Sequence, residues 1–293
     1  MPLLDDDALT GTTKTDFTDI YTRPDPRAYF RALTGLEYQI PQRARPVVEA
    51  VLAASQRAGS PRTVLDVCCS YGINAALLRC AVDLDDLGER ATDPARAALS
   101  PDELITDDLL FYADRLRRPE LTVLGLDASA PAIDYAVRTG LLAAGWAEDL
   151  EGADPSPSLA AGLRGVGMVV CTGGVGYIGA RTFERLVRAV DRPEDLWLVV
   201  FVLRVFDYAD IATTLAGFGL VTEQVPGTTF LQRRFADADE HRAATLDVTR
   251  RGLDPAGREA DGWYHADCFV TRPAAAAAAT PLAELLAEVP VGG

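Results

Sequence analysis

Apolar residues recur along this chain with two periods that alternate. Residues 23–36 carry Tyr29, Phe30 and Leu33 at helical spacing, behind prolines at 24 and 26 that suit a first turn. Residues 41–55 repeat the pattern, with Val47, Val48, Val51 and Leu52 on one face. The period then changes. "TVLDV" reads as a buried strand, followed by a helix over about 71–81. Strand patterns return at 121–127, briefly around "GWAED", at 165–174, at 196–205, at "LVTEQVPG" and at 262–272. Helical patterns fill most of the intervals, the last a polar helix over 236–251. Such alternation predicts an α/β fold with helices on both faces of a seven-stranded, mostly parallel sheet. The last two strands are expected to pair antiparallel.

One interval breaks the rhythm. Residues 82–120 are acidic, hold "LDDLGER" and "SPDELITDDLLFYADRL", and contain no convincing strand. Ser100 before Pro101, with Glu103 three residues on, resembles a capping box. A helical insertion between the first two strands is expected. Three parts follow: a tail and helical lid over 1–44, a main domain over 45–272, and an alanine-rich tail over 273–293. Residues 1–20 read as disordered.

Composition narrows the partners. The 293-residue chain is 48% hydrophobic, enough for a full core. Lys plus Arg is 28 and Asp plus Glu is 43, a net charge of −15. A surface this acidic repels phosphate backbones, so nucleic acid is not an expected partner; "LQRRF" at 231–235 is the nearest basic patch. No apolar run reaches the roughly 20 residues of a membrane span, and the acidic start is unlike a signal peptide. A cytoplasmic protein, monomer or homodimer, is expected. Five cysteines without a C-x-x-C pair, and two histidines, give no zinc pattern and no disulfide framework. Cys68 and Cys69 read as small buried thiols.

The chemistry concentrates at "TVLDVCCSYGIN", residues 63–74. Ligands of open α/β sheets bind beyond the carboxyl ends of the strands. A dinucleotide turn uses glycines so that backbone amides approach a pyrophosphate. Here Cys68, Ser70 and Gly72 hold those places, so a pyrophosphate meets side chains at two of three. A ligand without phosphate, carrying an ammonium and a ribose diol, makes other demands. An acid ending the first strand suits the ammonium; one ending the second accepts the ribose hydroxyls. Asp66 and Asp127 hold those ends. Capping the following helices is the competing reading of each.

"VLDVCCSYGINAALL" resembles motif I of class I S-adenosylmethionine (SAM)-dependent methyltransferases, with Asp66 as its acid and Gly72 as its last glycine. "VLGLDASAPAIDYA" resembles the second motif, "GWAEDLE" partly the third, and "MVVCTGGVGYI" the strand-4 motif that lines the methyl group. The closing pair, "GLVTEQ" and "YHADCFVTR", fits the reversed hairpin of that fold. The resemblance covers roughly 45–272 and looks closest to an actinobacterial-type branch. It implies SAM as cofactor, held by Asp66, Cys68, Ser70, Gly72, Ile73, Asp127, Ala128, Ala147, Glu148, Thr172 and Gly173. Departures are Cys68, Ser70, Trp146 in place of an adenine-contacting acid, and the 61-position separation of the two acids.

Methyl transfer to a small-molecule acceptor, in secondary metabolism, is the implied function. Alternatives are a SAM-binding protein with other chemistry or a sensor role, and a nicotinamide oxidoreductase. Candidate catalytic residues are Tyr177 and Arg204, which follow strands, and His265, for which a structural role competes. Tyr21 and Tyr29 are placed near the methionine part of the cofactor by a lid reading of residues 17–40. The 82–120 insertion is expected to border the pocket or a subunit contact.

Overall fold

A computed structural model describes residues 18–289. The expectation of disorder over 1–20 therefore lies almost wholly outside the described residues; Thr18–Tyr21 forms a helical turn, α1. Two helices follow, α2 (Arg27–Thr34) and α3 (Ile40–Arg57). Then the alternation begins: β1 (Thr63–Val67), α4 (Ile73–Arg79), the inserted α5 (Leu84–Thr92) and α6 (Pro101–Asp114), β2 (Thr122–Asp127), α7 (Ala130–Arg138), β3 (Ala144–Ala147) and α8 (Pro157–Leu163). It continues through β4 (Met168–Thr172), α9 (Ala180–Ala189), β5 (Trp197–Leu203), α10 (Ala209–Ala216) and β6 (Leu220–Gln224). The chain closes with β7 (Phe230–Arg234), α11 (Ala238–Arg250), β8 (Trp263–Pro273), α12 (Ala274–Ala279) and α13 (Leu282–Leu285).

The sheet order is β3-β2-β1-β4-β5-β8-β6, with β7 also on β8. Strands β1 to β5 are parallel, and β8 runs antiparallel to β5, β6 and β7. β1 lies between β2 and β4, so the chain crosses over on either side of it. That is the switch point where ligands of open α/β sheets bind. The sheet has eight strands rather than seven. Residues 230–234, where the sequence pattern predicts no strand, form β7, whose backbone amides and carbonyls pair with the first half of β8.

Local signals explain the element starts. The Ser100–Glu103 capping box forms at α6, and Asp83 with Asp86 makes a second one at α5. Ser129, not Asp127, caps α7: its hydroxyl accepts from the Ala132 amide. This removes the N-cap reading of Asp127. The alanine-rich tail ends on α13, whose Leu282 joins the core.

The N-terminal segment is fastened on three sides. Gln39 donates its amide to the Gln232 carbonyl at 2.7 Å, and the Arg234 amide donates to Leu36 at 2.8 Å, so residues 36–39 pair with the free edge of β7. The Tyr71 hydroxyl lies 2.9 Å from the carbonyls of both Ile20 and Arg23. The Arg27 guanidinium donates to the carbonyls of Arg96, Ala97 and Leu99 in the insertion. The insertion is itself braced: Arg90 and Arg96 bridge Asp107 and Asp108, and the Tyr135 hydroxyl of α7 donates to Asp108 at 2.7 Å. Among the described residues no helix is long and apolar enough to cross a membrane.

Candidate functional site: a strand-end cavity under the N-terminal segment

A cavity of about 480 Å³ opens beyond the carboxyl ends of β1, β2 and β4. Its floor is the turn after β1. Cys68 has φ +58°, Ser70 +49° and Gly72 +79°. All three are left-handed, a region in which a side chain costs roughly 1–2 kcal/mol per residue. The turn thus keeps the backbone of a glycine-rich loop at two positions that are not glycine. Ser70 gains from the conformation: its amide donates to Asp127 Oδ2 at 2.9 Å. The Cys68 and Cys69 amides both donate to the Leu126 carbonyl, at 2.8 and 3.3 Å, which joins the turn to the end of β2. Gly174 leaves room for it, since a Cβ there would lie 2.7 Å from the sulfurs of both Cys68 and Cys171.

The two strand-end acids sit in different settings. Asp127 lines the cavity and accepts amides on both oxygens, from Ser70 and from Ser129 at 2.9 Å. Burial raises its pKa while those amides oppose the rise. Asp66 lies behind the lining, 1% exposed. Asn74 Nδ2 donates to its Oδ1 at 2.9 Å and to Thr172 Oγ1 at 3.0 Å. Its other oxygen has no partner. Burial pushes the Asp66 carboxyl up to about 7; the Asn74 hydrogen bond opposes this, and Asp127 adds to it. With both amide hydrogens spent, Asn74 has its carbonyl oxygen left for the cavity that it lines.

Most expected site residues meet here. Cys68, Ser70, Ile73, Asp127, Ala128, Glu148, Thr172, Gly173, Tyr177, Tyr21 and Tyr29 line the cavity. Gly72 supports it as the left-handed residue that opens α4. Ala147 is exposed at the end of β3 and is not among the lining residues. Glu148 lines the wall, but its carboxylate takes the amide and hydroxyl of Ser156, the residue that caps α8, at 2.9 and 2.6 Å. Its neighbour Asp149 also lines the wall and is exposed, although its Oδ1 accepts the Glu151 amide. Trp146 turns away, its indole donating to Ser158 and its ring against Gly162.

Two expected catalytic residues lie elsewhere. His265 is on β8, 9% exposed, with Nδ1 2.9 Å from the Thr229 hydroxyl. Burial, with Arg258 and Arg204 nearby, lowers its pKa to about 4, so it is neutral at physiological pH. Arg204 is locked to Glu259 and to the Asp254 carbonyl. Neither lines the cavity: Arg204 follows β5, and His265 lies on β8, which joins the sheet beyond β5, both away from the switch point. No residue of 82–120 lines it either; the insertion holds the N-terminal segment instead.

Sequence reading missed Asn74, Ser129, Gln232 and Arg233. Asn74 was legible as a polar residue in the first turn after Gly72. Gln232 and Arg233 were not, because the sequence pattern predicts no strand there. The "LQRRF" patch is not a basic surface: Arg233 is 2% exposed and paired to Glu240, and Arg234 pairs with Glu37. Among the described residues no group of three or more His, Cys, Asp or Glu side chains is placed to hold a metal.

The residues present fit SAM. The turn offers backbone without demanding a phosphate, an ionisable acid behind an amide carbonyl lies at the end of β1, and an amide-oriented carboxylate lies at the end of β2. The buried Ser70 hydroxyl and the second Asp66 oxygen are polar atoms still without partners.

No family profile matches the chain, and no curated protein does. Solved structures do. A SAM-dependent methyltransferase from Aquifex aeolicus is similar at 10% identity, over 88% of this chain and 100% of that one, with a TM-score of 0.41. The plantazolicin methyltransferase BamL, in complex with a triazolic desmethylPZN analog and SAH (S-adenosylhomocysteine), is similar at 11% identity over 78% and 85%, TM-score 0.39. A TehB-like SAM-dependent methyltransferase from Corynebacterium glutamicum shares 16% identity over 75% and 85%, TM-score 0.36. The observed strand order, with β8 antiparallel and the cavity beyond β1, is a Rossmann-like, mostly parallel sheet of the kind expected from the sequence.

Proposed function

We propose that the cavity binds SAM and that this chain is an enzyme transferring a methyl group to a small-molecule acceptor, in secondary metabolism. The observation that carries the reading is the joined pair of strand ends: the left-handed turn after β1 donates the Ser70 amide to Asp127 at the end of β2. SAM, when bound, supplies an electrophilic methyl group. Asp127, its lone pairs already oriented by two amides, accepts from the ribose hydroxyls. The Asn74 carbonyl, with the Asp66 carboxyl behind it, holds the ammonium. Asp149 and the Leu150 backbone border the adenine end, Glu148 being committed to α8. Thr172, Gly173 and Tyr177 border the exit of β4, where the acceptor approaches.

The N-terminal segment serves as the lid. Tyr21 and Tyr29 meet edge to face at 5.6 Å, and Tyr29 meets Tyr71 of the turn at 5.7 Å. Water exclusion and alignment are then the chain's main contributions to rate. Hydrogen exchange with and without SAH tests the lid: protection at 18–40 should rise on binding, and unchanged exchange contradicts it.

A second reading, SAM-dependent chemistry other than methylation, is favoured by one observation. With His265 and Arg204 elsewhere, the carboxyl pushed up to about 7, Asp66, is not on the wall but stands behind Asn74. No histidine lines the wall to act as a general base. Incubation with SAM and a panel of small acceptors separates the two. Methyl transfer accumulates SAH with a methylated product; binding and turnover of acceptor without SAH supports the second reading.

A further inference from the structure

The cavity is not uniform in charge. Around the ends of β2 and β3 its wall carries the carboxylates Asp127, Glu148 and Asp149. At the other end, under α2 and at the exit of β4, the wall is Tyr29, Leu33, Tyr38, Pro41, Gln232 and Arg233. Arg233 is the single basic side chain among the lining residues. Its guanidinium donates to both oxygens of Glu240, at 2.9 and 2.7 Å, and to the Arg234 carbonyl at 2.8 Å. Arg233 and Glu240 are 2% and 1% exposed, so the pair is buried with no net charge. Burial pushes the Tyr38 phenol up to about 12 and that of Tyr29 higher than usual, so both are neutral. An anion entering this end would leave water and find its lining cation already paired.

Two further observations define what does fit. The wall is aromatic and aliphatic, with Tyr29 and Tyr38 edge to face at 6.2 Å, a surface that favours a flat ring. Gln232, 5% exposed, packs its Nε2 beside Gly173, where a Cβ would lie 3.0 Å away, and its Oε1 has no partner. An unpaired buried carbonyl oxygen calls for a donor.

We propose that this end takes an uncharged aromatic molecule bearing one N–H or O–H donor, and that the Arg233–Glu240 pair keeps anions out by cancelling the one cation among the described lining residues. This names the acceptor class of the proposed methyl transfer and rests on that reading. A phenol or an aromatic amine is such a molecule; a carboxylate or a phosphate ester is not.

Calorimetry on the full chain saturated with SAH tests it, using 2-naphthol, 2-methoxynaphthalene and 2-naphthoate as probes. In the wild type 2-naphthol should bind about tenfold tighter than either other probe. In Gln232→Leu the advantage over 2-methoxynaphthalene should disappear. In Glu240→Gln, which removes the carboxylate charge facing Arg233, 2-naphthoate should gain about tenfold relative to 2-naphthol. Tighter wild-type binding of 2-naphthoate, or binding of none of the probes, overturns the proposal. Should Glu240→Gln not fold, the wild-type ratio and Gln232→Leu still decide. The SAH isotherm is a separate readout: if it is flat while the probe order holds, the cofactor reading falls and the chemistry assigned to this end stands.

Discussion

At the β5–β8 end of the sheet, Arg204 and Glu259 are buried against each other, with Thr229, His265 and Arg258 joined by hydrogen bonds beside them. At the β1–β2 end, Asp66 and Ser70 are buried as deeply, yet each keeps an oxygen without a partner next to a cavity. Both regions concentrate polar side chains at the carboxyl edge of one sheet. At the first end the ionic groups are spent on each other, one Glu259 oxygen apart. At the second, backbone strain and unpaired atoms persist around an opening. Buried charge alone therefore does not mark a site. Buried polarity left open beside a void does, because it costs stability that a bound ligand returns.

The largest expected effect sharpens this contrast from the closed side. Glu259→Ala strands the Arg204 charge, and should cost about 3–5 kcal/mol of stability. Affinity of the folded fraction for SAH should not change. Denaturant unfolding and calorimetry check the two halves; a large affinity loss would bring the β5–β8 cluster into the site. Asp127→Ala does the reverse. Losing a charged acceptor shared by two hydroxyls should weaken SAH by about 1.5–3 kcal/mol, roughly tenfold or more. An unchanged dissociation constant would mean the ribose is held elsewhere.

Asp66 ties stability to pH. Its folded carboxyl, at about 7, holds a proton that the unfolded chain has already released, so stability falls as pH rises from the ordinary carboxylate range through about 7. Asp127 shifts in the same direction, so the informative quantity is the difference from Asp66→Asn. That variant should be more stable than the wild type at about pH 8 and lose the difference toward about pH 5. Thermal unfolding across that range tests it, and parallel curves would remove Asp66 as the cause. The smallest effect belongs to Ser70→Gly. It relieves a left-handed side chain and removes an unpaired buried hydroxyl, for a gain of roughly 1 kcal/mol offset in part by glycine's backbone entropy. A loss of stability would show that the hydroxyl is already satisfied in solution.

The parts of this arrangement written in local pattern were legible in the sequence. Asp66 stands next to last in β1 and Asp127 ends β2, where the apolar runs place them, and Ser100 with Glu103 announced α6. The turn was half legible: Cys68 and Ser70 were seen at glycine places, but that the backbone stays left-handed there follows from the Ser70–Asp127 hydrogen bond, a contact across 57 residues. β7 was hidden because "FLQRR" buries Gln232 and Arg233, residues that read as surface until Glu240 and the N-terminal segment cover them. His265 and Arg204 were misplaced for a topological reason. Strand ends look alike in sequence, and only the order of strands decides which of them face the switch point.

The turn after β1 is proposed to hold SAM rather than a pyrophosphate. Calorimetric titration of the wild-type chain with SAH and, separately, with NAD(H) and NADP(H) tests it most directly. The account predicts a saturable isotherm for SAH and none for the dinucleotides. Saturable dinucleotide binding without SAH binding would contradict it.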